Sequence, residues 1–225
     1  MRLNDGANSR EKALRHIKRH DPRLYAATRA HHASLPAELP IKRTADALFS
    51  ALISIVISQQ LGTAVADSIF MRVKEVCGGK LTPDSVTDTT EGSLRRAGLS
   101  GAKIKTIKTF AQAVKSKEIS LISLKRDTVD NFYGPLLSLW GIGPWSVEMF
   151  SLFALGHPDI FSPGDLGLVR ATESIYGRKG MTPTSLLALS KKWSPYRSWV
   201  CLLLWRFKDA ASLSVRTPAK GRHRS

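Results

Sequence analysis

Cysteine and long hydrophobic runs are both scarce in this sequence. The 225-residue chain has only two cysteines, Cys77 and Cys201, which lie far apart and form no Cys-x-x-Cys pair. This argues against a disulfide framework, a structural zinc site and an iron–sulfur cluster, which usually needs about four cysteines. No apolar run reaches the roughly 20 residues of a membrane span, and the N-terminus lacks the apolar segment of a secretory signal. We therefore expect an intracellular protein without membrane contact, in the cytoplasm or nucleoid of a bacterium or archaeon, or in a eukaryotic nucleus.

Acidic residues are also few relative to basic ones. The chain has 34 Lys and Arg against 18 Asp and Glu, a net charge of +16, and a pI near 10.2. The excess is concentrated: residues 94–117 carry 7 basic and no acidic side chains, and residues 191–225 carry 9 basic and 1 acidic. Clustered positive charge is typical of proteins that bind nucleic acid, since Lys and Arg displace counterions from phosphates. A solvated basic surface that only maintains solubility is the alternative.

Alternating apolar and polar runs, the pattern of half-buried strands, are missing as well. Apolar residues recur instead at helical spacing, which predicts an all-α fold. The pattern predicts helices over 44–60, 63–76 and 144–155, a basic helix after Gly101, and a further helix opened by Ser162-Pro163. Residues 213–225 are polar and basic, and we expect them to form a disordered tail.

One tight turn between two predicted helices is the most specific local feature. It reads Leu139-Trp140-Gly141-Ile142-Gly143-Pro144-Trp145-Ser146. Two glycines allow a sharp turn and a close approach to the backbone, while Ile142 can insert into the core. Pro144 suits the first position of a helix, whose free amides form a natural seat for a phosphate. An ordinary turn between two helices remains the alternative.

About twenty residues later the sequence contains Ser162-Pro163-Gly164-Asp165-Leu166. Ser162 can cap a helix that starts at Pro163, which would put Asp165 in its first turn. Acidic residues are common there because they complement the helix dipole. Taken by itself, Asp165 is therefore expected to be structural.

Three blocks in order reverse that expectation. The hairpin followed by Gly164-Asp165-Leu166 resembles the signature of the helix-hairpin-helix Gly/Pro-Asp DNA glycosylases, in particular the alkylpurine branch, the 3-methyladenine DNA glycosylase II family. Ile57-Ser58-Gln59-Gln60-Leu61 resembles that family's Gln-Gln-Leu block, and Trp193-Ser194-Pro195-Tyr196-Arg197-Ser198 precedes a last helix with Leu204-Trp205-Arg206. The resemblance covers roughly residues 44–208. Trp140 departs from it, because a proline often precedes the first hairpin glycine.

The resemblance implies a role for each of these residues. Asp165 would be the catalytic carboxylate that stabilises an oxocarbenium-like sugar while an alkylated purine leaves. Trp145 stands where strand-nicking relatives carry a Schiff-base lysine, so no lyase activity is expected. The other implied roles are a base pocket of Trp145, Tyr196 and Met149, a wedge and flipping segment of Leu61, Gln59 and Gln60, and DNA-backbone contacts from Gly141, Ile142, Gly143 and Ser146.

For the whole protein, the resemblance implies two helical lobes with the active site in the cleft between them. Residues 44–135 would form a helical bundle, and residues 1–43 would pack on a catalytic lobe of residues 136–212. No cofactor is expected to be required, although a structural Na⁺ or K⁺ could sit on the carbonyls of Leu137, Leu139 and Ile142. We expect the protein to be a monomer. Its expected partner is double-stranded DNA with alkylated bases. A glycosylase for another damaged base and a non-catalytic DNA-binding module remain alternatives.

Overall fold

The structure is a computed structural model that describes residues 8–124 and 129–216, with 129–132 and 212–216 as backbone only. Within these residues every regular element is helical and no β-strand occurs, so the all-α prediction is confirmed. None of the described helices is both long and apolar enough to cross a membrane. The chain divides into two compact units: unit 1 contains residues 1–39 and 157–225, and unit 2 contains residues 40–156.

Unit 2 is built around one long apolar helix. Its helices are α3 (Ala45–Ser58), α4 (Thr63–Val76), α5 (Pro83–Asp88), α6 (Glu91–Arg96), α7 (Gly101–Lys115), α8 (Leu121–Leu124), α9 (Val129–Leu137) and α10 (Pro144–Phe150). Side chains on most sides of α3 are buried, which makes it the central helix of the unit. The rings of Phe49 on α3 and Phe110 on α7 stack with centroids 5.0 Å apart. This contact joins α3 to the basic helix predicted after Gly101.

A π-helical turn follows α10. The predicted helix over 144–155 is α-helical only to Phe150 and continues as a π-helix, Ser151–Leu155. Gly156 then ends it with φ +70°, where a Cβ atom would lie 2.5 Å from Ile41 Cγ1. Both the backbone conformation and the packing therefore require glycine at this position.

Unit 1 combines the two ends of the chain. Its elements are α1 (Ser9–His20), α2 (Pro22–Ala27), a 3₁₀ helix (Arg29–Ser34), α11 (Leu166–Tyr176), α12 (Pro183–Ser190), a second 3₁₀ helix (Lys191–Trp193) and α13 (Arg197–Arg216). α11 packs against α13 and α2. Residues 213–216, predicted as tail, extend α13, because the helical backbone continues to Arg216. Residues 217–225 lie outside the described part of the chain.

The boundary between the units differs from the predicted one. We predicted that residues 136–156 belong with the C-terminal lobe, whereas they cluster with unit 2. The reason is that α10 packs directly on α3. The hairpin that precedes α10 therefore belongs to the unit whose central helix is α3. Unit 1 resumes only at His157.

Candidate functional site

The hairpin between α9 and α10 is a tight turn shaped by its first glycine. Gly141 has φ +81°, and a Cβ atom there would lie 2.0 Å from Thr106 Oγ1 on α7. Ile142 is buried as predicted, and its amide donates to the carbonyl of Leu139 at 3.1 Å. Gly143 precedes Pro144, the first residue of α10, with nothing within 4 Å of its ideal Cβ position. Open space therefore lies beside Gly143, whereas Gly141 packs closely against Thr106 on α7.

Gln59 connects the end of α3 to this hairpin. Its Nε2 donates to the carbonyl of Gly141 at 3.1 Å and to Ser146 Oγ at 2.9 Å. Ser146 is 1% exposed. The side chain of Gln59 thus supports the hairpin, and its flipping role stays a prediction. The burial of Ser146 does not favour the DNA contact that the sequence predicts at this residue.

We predict that Gln59→Ala destabilises unit 2, whereas Gln60→Ala does not. The first change leaves Ser146 Oγ buried without its donor, which costs about 1–3 kcal/mol. Gln60 is exposed, with a positive φ of 59°, and serves as a matched neighbour. Urea unfolding of both variants measures the difference. Equal loss of stability in the two variants would contradict the supporting role of Gln59.

Leu61, the predicted wedge, lies on the surface of unit 2. It is 38% exposed, and its amide donates to the carbonyl of Ser58 at 3.1 Å in the turn after α3. An exposed leucine in the turn after a helix is suited to insertion into DNA. The wedge assignments of Leu61 and Gln60 stay predictions.

Asp165 is the N-cap residue of α11, and not a residue of its first turn. The prediction that Ser162 caps a helix starting at Pro163 is wrong, because residues 162–165 form a turn and the helix begins at Leu166. Asp165 Oδ1 accepts from the amide of Leu168 at 2.9 Å. The carboxylate therefore lies at the positive end of α11, where negative charge is stabilised.

Trp205 of α13 supplies a second donor to this carboxylate. Its Nε1 lies 3.1 Å from Asp165 Oδ1. Gly167 makes room for the arrangement, since a Cβ there would lie 3.0 Å from Asp165 Oδ1 and 3.2 Å from Trp205 Cδ1. Two N–H donors on one oxygen fix the orientation of the carboxylate. The sequence placed Trp205 in one of the three blocks but did not connect it to Asp165.

Two carboxylates in unit 1 hold the segment that contains Tyr196. Asp159 accepts from Arg197 Nε at 2.7 Å and from Ser194 Oγ at 2.7 Å. Burial by itself raises the pKa of Asp159, but the hydrogen bonds from Arg197 and Ser194 outweigh it and keep that pKa below its usual value. Asp21 accepts from Trp193 Nε1 at 2.7 Å. The segment is thereby fixed at both ends, a role of Asp21 and Asp159 that sequence reasoning missed.

Tyr196 lies between these two anchors. It is partly exposed, and its ring centroid is 5.3 Å from that of His16 on α1. In unit 2, Trp145 is partly buried and Met149 is 4% exposed. The base-pocket assignment of Trp145, Tyr196 and Met149 stays a prediction. The monovalent-cation site on the carbonyls of Leu137, Leu139 and Ile142 also stays a prediction. The Leu139 carbonyl already accepts one hydrogen bond, from the Ile142 amide.

Comparison with known proteins yields one family and several similar structures. The family model described as the HhH-GPD superfamily base excision DNA repair protein matches residues 53–195. DNA-3-methyladenine glycosylase 1 of Schizosaccharomyces pombe is 30% identical over 171 residues, covering 72% of this chain and 73% of the relative.

Two solved structures are also similar. The S. pombe 3-methyladenine DNA glycosylase in complex with abasic DNA has a TM-score of 0.81 at 26% identity, covering 92% of this chain and all of that one (100%). The DNA-3-methyladenine glycosidase of Bacillus halodurans has a TM-score of 0.72 at 30% identity, with coverage of 89% and 91%.

Proposed function

The chain belongs to the HhH-GPD superfamily of base excision DNA repair proteins, and we propose that it is a monofunctional DNA glycosylase that removes alkylated purines. The observation that carries this proposal is the placement of Asp165, capped by the Leu168 amide and held by Trp205 Nε1. Relatives of this chain are named DNA-3-methyladenine glycosylases, which supports alkylated purines as the substrate class.

The proposed reaction breaks the N-glycosidic bond of a nucleotide flipped out of the duplex. As the base leaves with the bonding electron pair, positive charge develops on the sugar, and the carboxylate of Asp165 stabilises it. Water then adds to C1′ and loses a proton, which leaves an abasic site and a free base. An alkylated purine such as 3-methyladenine already carries positive charge and leaves as a neutral base. It therefore needs little help from a general acid.

Trp145 supports the assignment of a glycosylase without lyase activity. A lyase of this family needs a lysine amine at this hairpin position to form a Schiff base with the sugar, and an indole ring offers no such nucleophile. The ring is instead suited to stacking on an electron-poor alkylated base, which offsets part of the few kcal/mol that base flipping costs.

The hairpin and the basic surface support DNA binding. We propose that the backbone of Gly141, Ile142 and Gly143 contacts a phosphate, because open space beside Gly143 permits close approach. Leu61 would fill the gap that the flipped nucleotide leaves in the duplex. The net charge of +16 supports a polyanionic partner.

We predict that the protein releases free methylpurines from methylated duplex DNA and leaves the strand intact. Chromatography of released bases measures the first result, and denaturing gel electrophoresis measures the second. Borohydride is expected to trap no covalent protein–DNA adduct, since no Schiff base forms. Strand cleavage with a trapped adduct would overturn the monofunctional assignment. Salt-sensitive DNA binding without release of any damaged base would favour the non-catalytic module.

A further inference from the structure

The lysines of α7 differ in function, although the sequence presents them as one basic stretch. Lys103 Nζ donates to two backbone carbonyls at the end of α3, at 2.7 and 2.9 Å. Lys108 Nζ donates to two carbonyls at the end of α5, at 3.1 and 2.7 Å. Lys115 pairs with Asp84 at 2.8 Å. These three ammonium groups already have partners within the fold.

Lys105 has a different environment. Its Nζ lies 4.4 Å from the centroid of the Trp140 ring, well within the range of a cation–π interaction. No carboxylate in the described part of the chain forms an ion pair with it. An aromatic face attracts the ammonium group but does not neutralise its charge. Lys105 therefore presents a positive charge in a fixed position and remains able to bind an anion.

Trp140 is exposed to a degree unusual for its size. It is 46% exposed and directly precedes Gly141, the first glycine of the hairpin. It also lines an open cavity of about 670 Å³, together with Thr109, Gln112 and Ser138. Exposed tryptophans beside cationic groups are common anchors of binding interfaces, because the rigid ring buries a large area at a small cost in conformational entropy.

We propose that Lys105 and Trp140 form a second DNA-backbone contact beside the hairpin, with the Lys105 ammonium on a phosphate and the Trp140 ring against the adjoining deoxyribose. This proposal rests on the proposed function, since it adds a contact to the DNA strand that residues 141–143 are proposed to bind. Adjacency in sequence supports it, because a strand bound at the hairpin passes close to the neighbouring residue. Glu118 also lines the cavity, and its carboxylate repels phosphate. The contact is therefore placed at the Lys105–Trp140 pair and not along the whole cavity.

The test is the salt dependence of duplex DNA binding by four variants: Lys105→Gln, Trp140→Ala, the double variant and Lys115→Gln. Fluorescence anisotropy with a short labelled duplex gives Kd between about 50 and 200 mM salt. Lys105→Gln is expected to weaken binding roughly 3- to 10-fold and to reduce the slope of log K against log salt by about 1. Trp140→Ala is expected to weaken binding as well. The double variant should lose less than the sum of the single effects, because the ring positions the ammonium group.

Lys115→Gln is the matched control. It removes the same formal charge from the same helix, but from a lysine already paired with Asp84, and its slope should stay that of the wild type. Equal slopes for the Lys105 and Lys115 variants would show that only total charge matters and would overturn the contact. A thermal unfolding midpoint that falls in Trp140→Ala, with Kd and slope both unchanged, would assign the ring to stability alone and overturn its role. A wild type that binds no duplex DNA would instead refute the proposed function itself.

Discussion

Asp165→Asn is expected to abolish base release while leaving DNA binding and folding intact. Asparagine has the same shape and is itself a preferred N-cap residue, so its side-chain oxygen can keep the hydrogen bonds from the Leu168 amide and Trp205 Nε1. The substitution removes the negative charge. Since that charge stabilises the developing positive charge on the sugar, the rate should fall at least ~10²- to 10³-fold, the range seen when one electrostatic stabiliser is removed.

The measurement is single-turnover release of methylpurines from methylated duplex DNA, together with Kd and urea unfolding of the same variant. Asp209→Asn is the control: it also removes a carboxylate from unit 1, but an exposed one that pairs with Lys208 at 3.1 Å. Its rate should match that of the wild type. Equal rates for Asp165→Asn and the wild type would end the case for Asp165. Asp165→Ala is a poorer test, because it also removes the helix cap, at a cost of about 0.5–2 kcal/mol.

Gly141→Ala is expected to have the largest effect on stability. The added Cβ would lie 2.0 Å from Thr106 Oγ1, and alanine at φ +81° is strained even where space exists. Overpacking costs about 1–3 kcal/mol and the left-handed conformation about 1–2 kcal/mol, so the free energy of unfolding should fall by roughly 3 kcal/mol. DNA affinity should fall with it, because the hairpin must move away from α7.

Gly143→Ala separates the effect of the hairpin on stability from its effect on DNA affinity. Nothing lies within 4 Å of the added Cβ, and φ is −107°, so stability should change by less than about 0.5 kcal/mol. The new methyl group would stand where a phosphate approaches the backbone, and affinity should still fall. The double variant Gly141→Ala with Thr106→Ala should recover part of the stability. Urea unfolding and fluorescence anisotropy measure these effects. If Gly141→Ala were as stable as the wild type, the close contact with α7 would be wrong.

The all-α fold and several element boundaries followed from the sequence. Helix α4 has the predicted bounds, and α3 differs from its prediction by only one residue at the start and two at the end. Helical periodicity and capping residues are local signals, so they can be read without knowing what packs against what. The same applies to the hairpin. The tight turn at two glycines, the burial of Ile142 and the helix start at Pro144 were each predicted from local chemistry.

Errors arose where long-range packing decides the outcome. Serine and aspartate both cap helices well, and the expected cap, Ser162, was the wrong one: Asp165 caps α11, which starts at Leu166. The choice depends on contacts far along the chain, since Trp205 binds the Asp165 carboxylate from α13. The boundary of unit 2 was also missed, because the pairing of α10 with α3 joins segments about ninety residues apart. No local pattern encodes such a pairing.

The sequence by itself therefore determined the helical class and the tight hairpin, because spacing and glycine conformation act within a few residues of one another, and its resemblance to a known family supplied the candidate residues. Only the tertiary structure decided which partners these and neighbouring residues have. It placed Gln59 under the hairpin, gave Lys103, Lys108 and Lys115 partners in the fold, and left Lys105 beside an exposed Trp140. The physical reason is that a side chain's role depends on its partners, and most of these partners are supplied by segments distant in the chain.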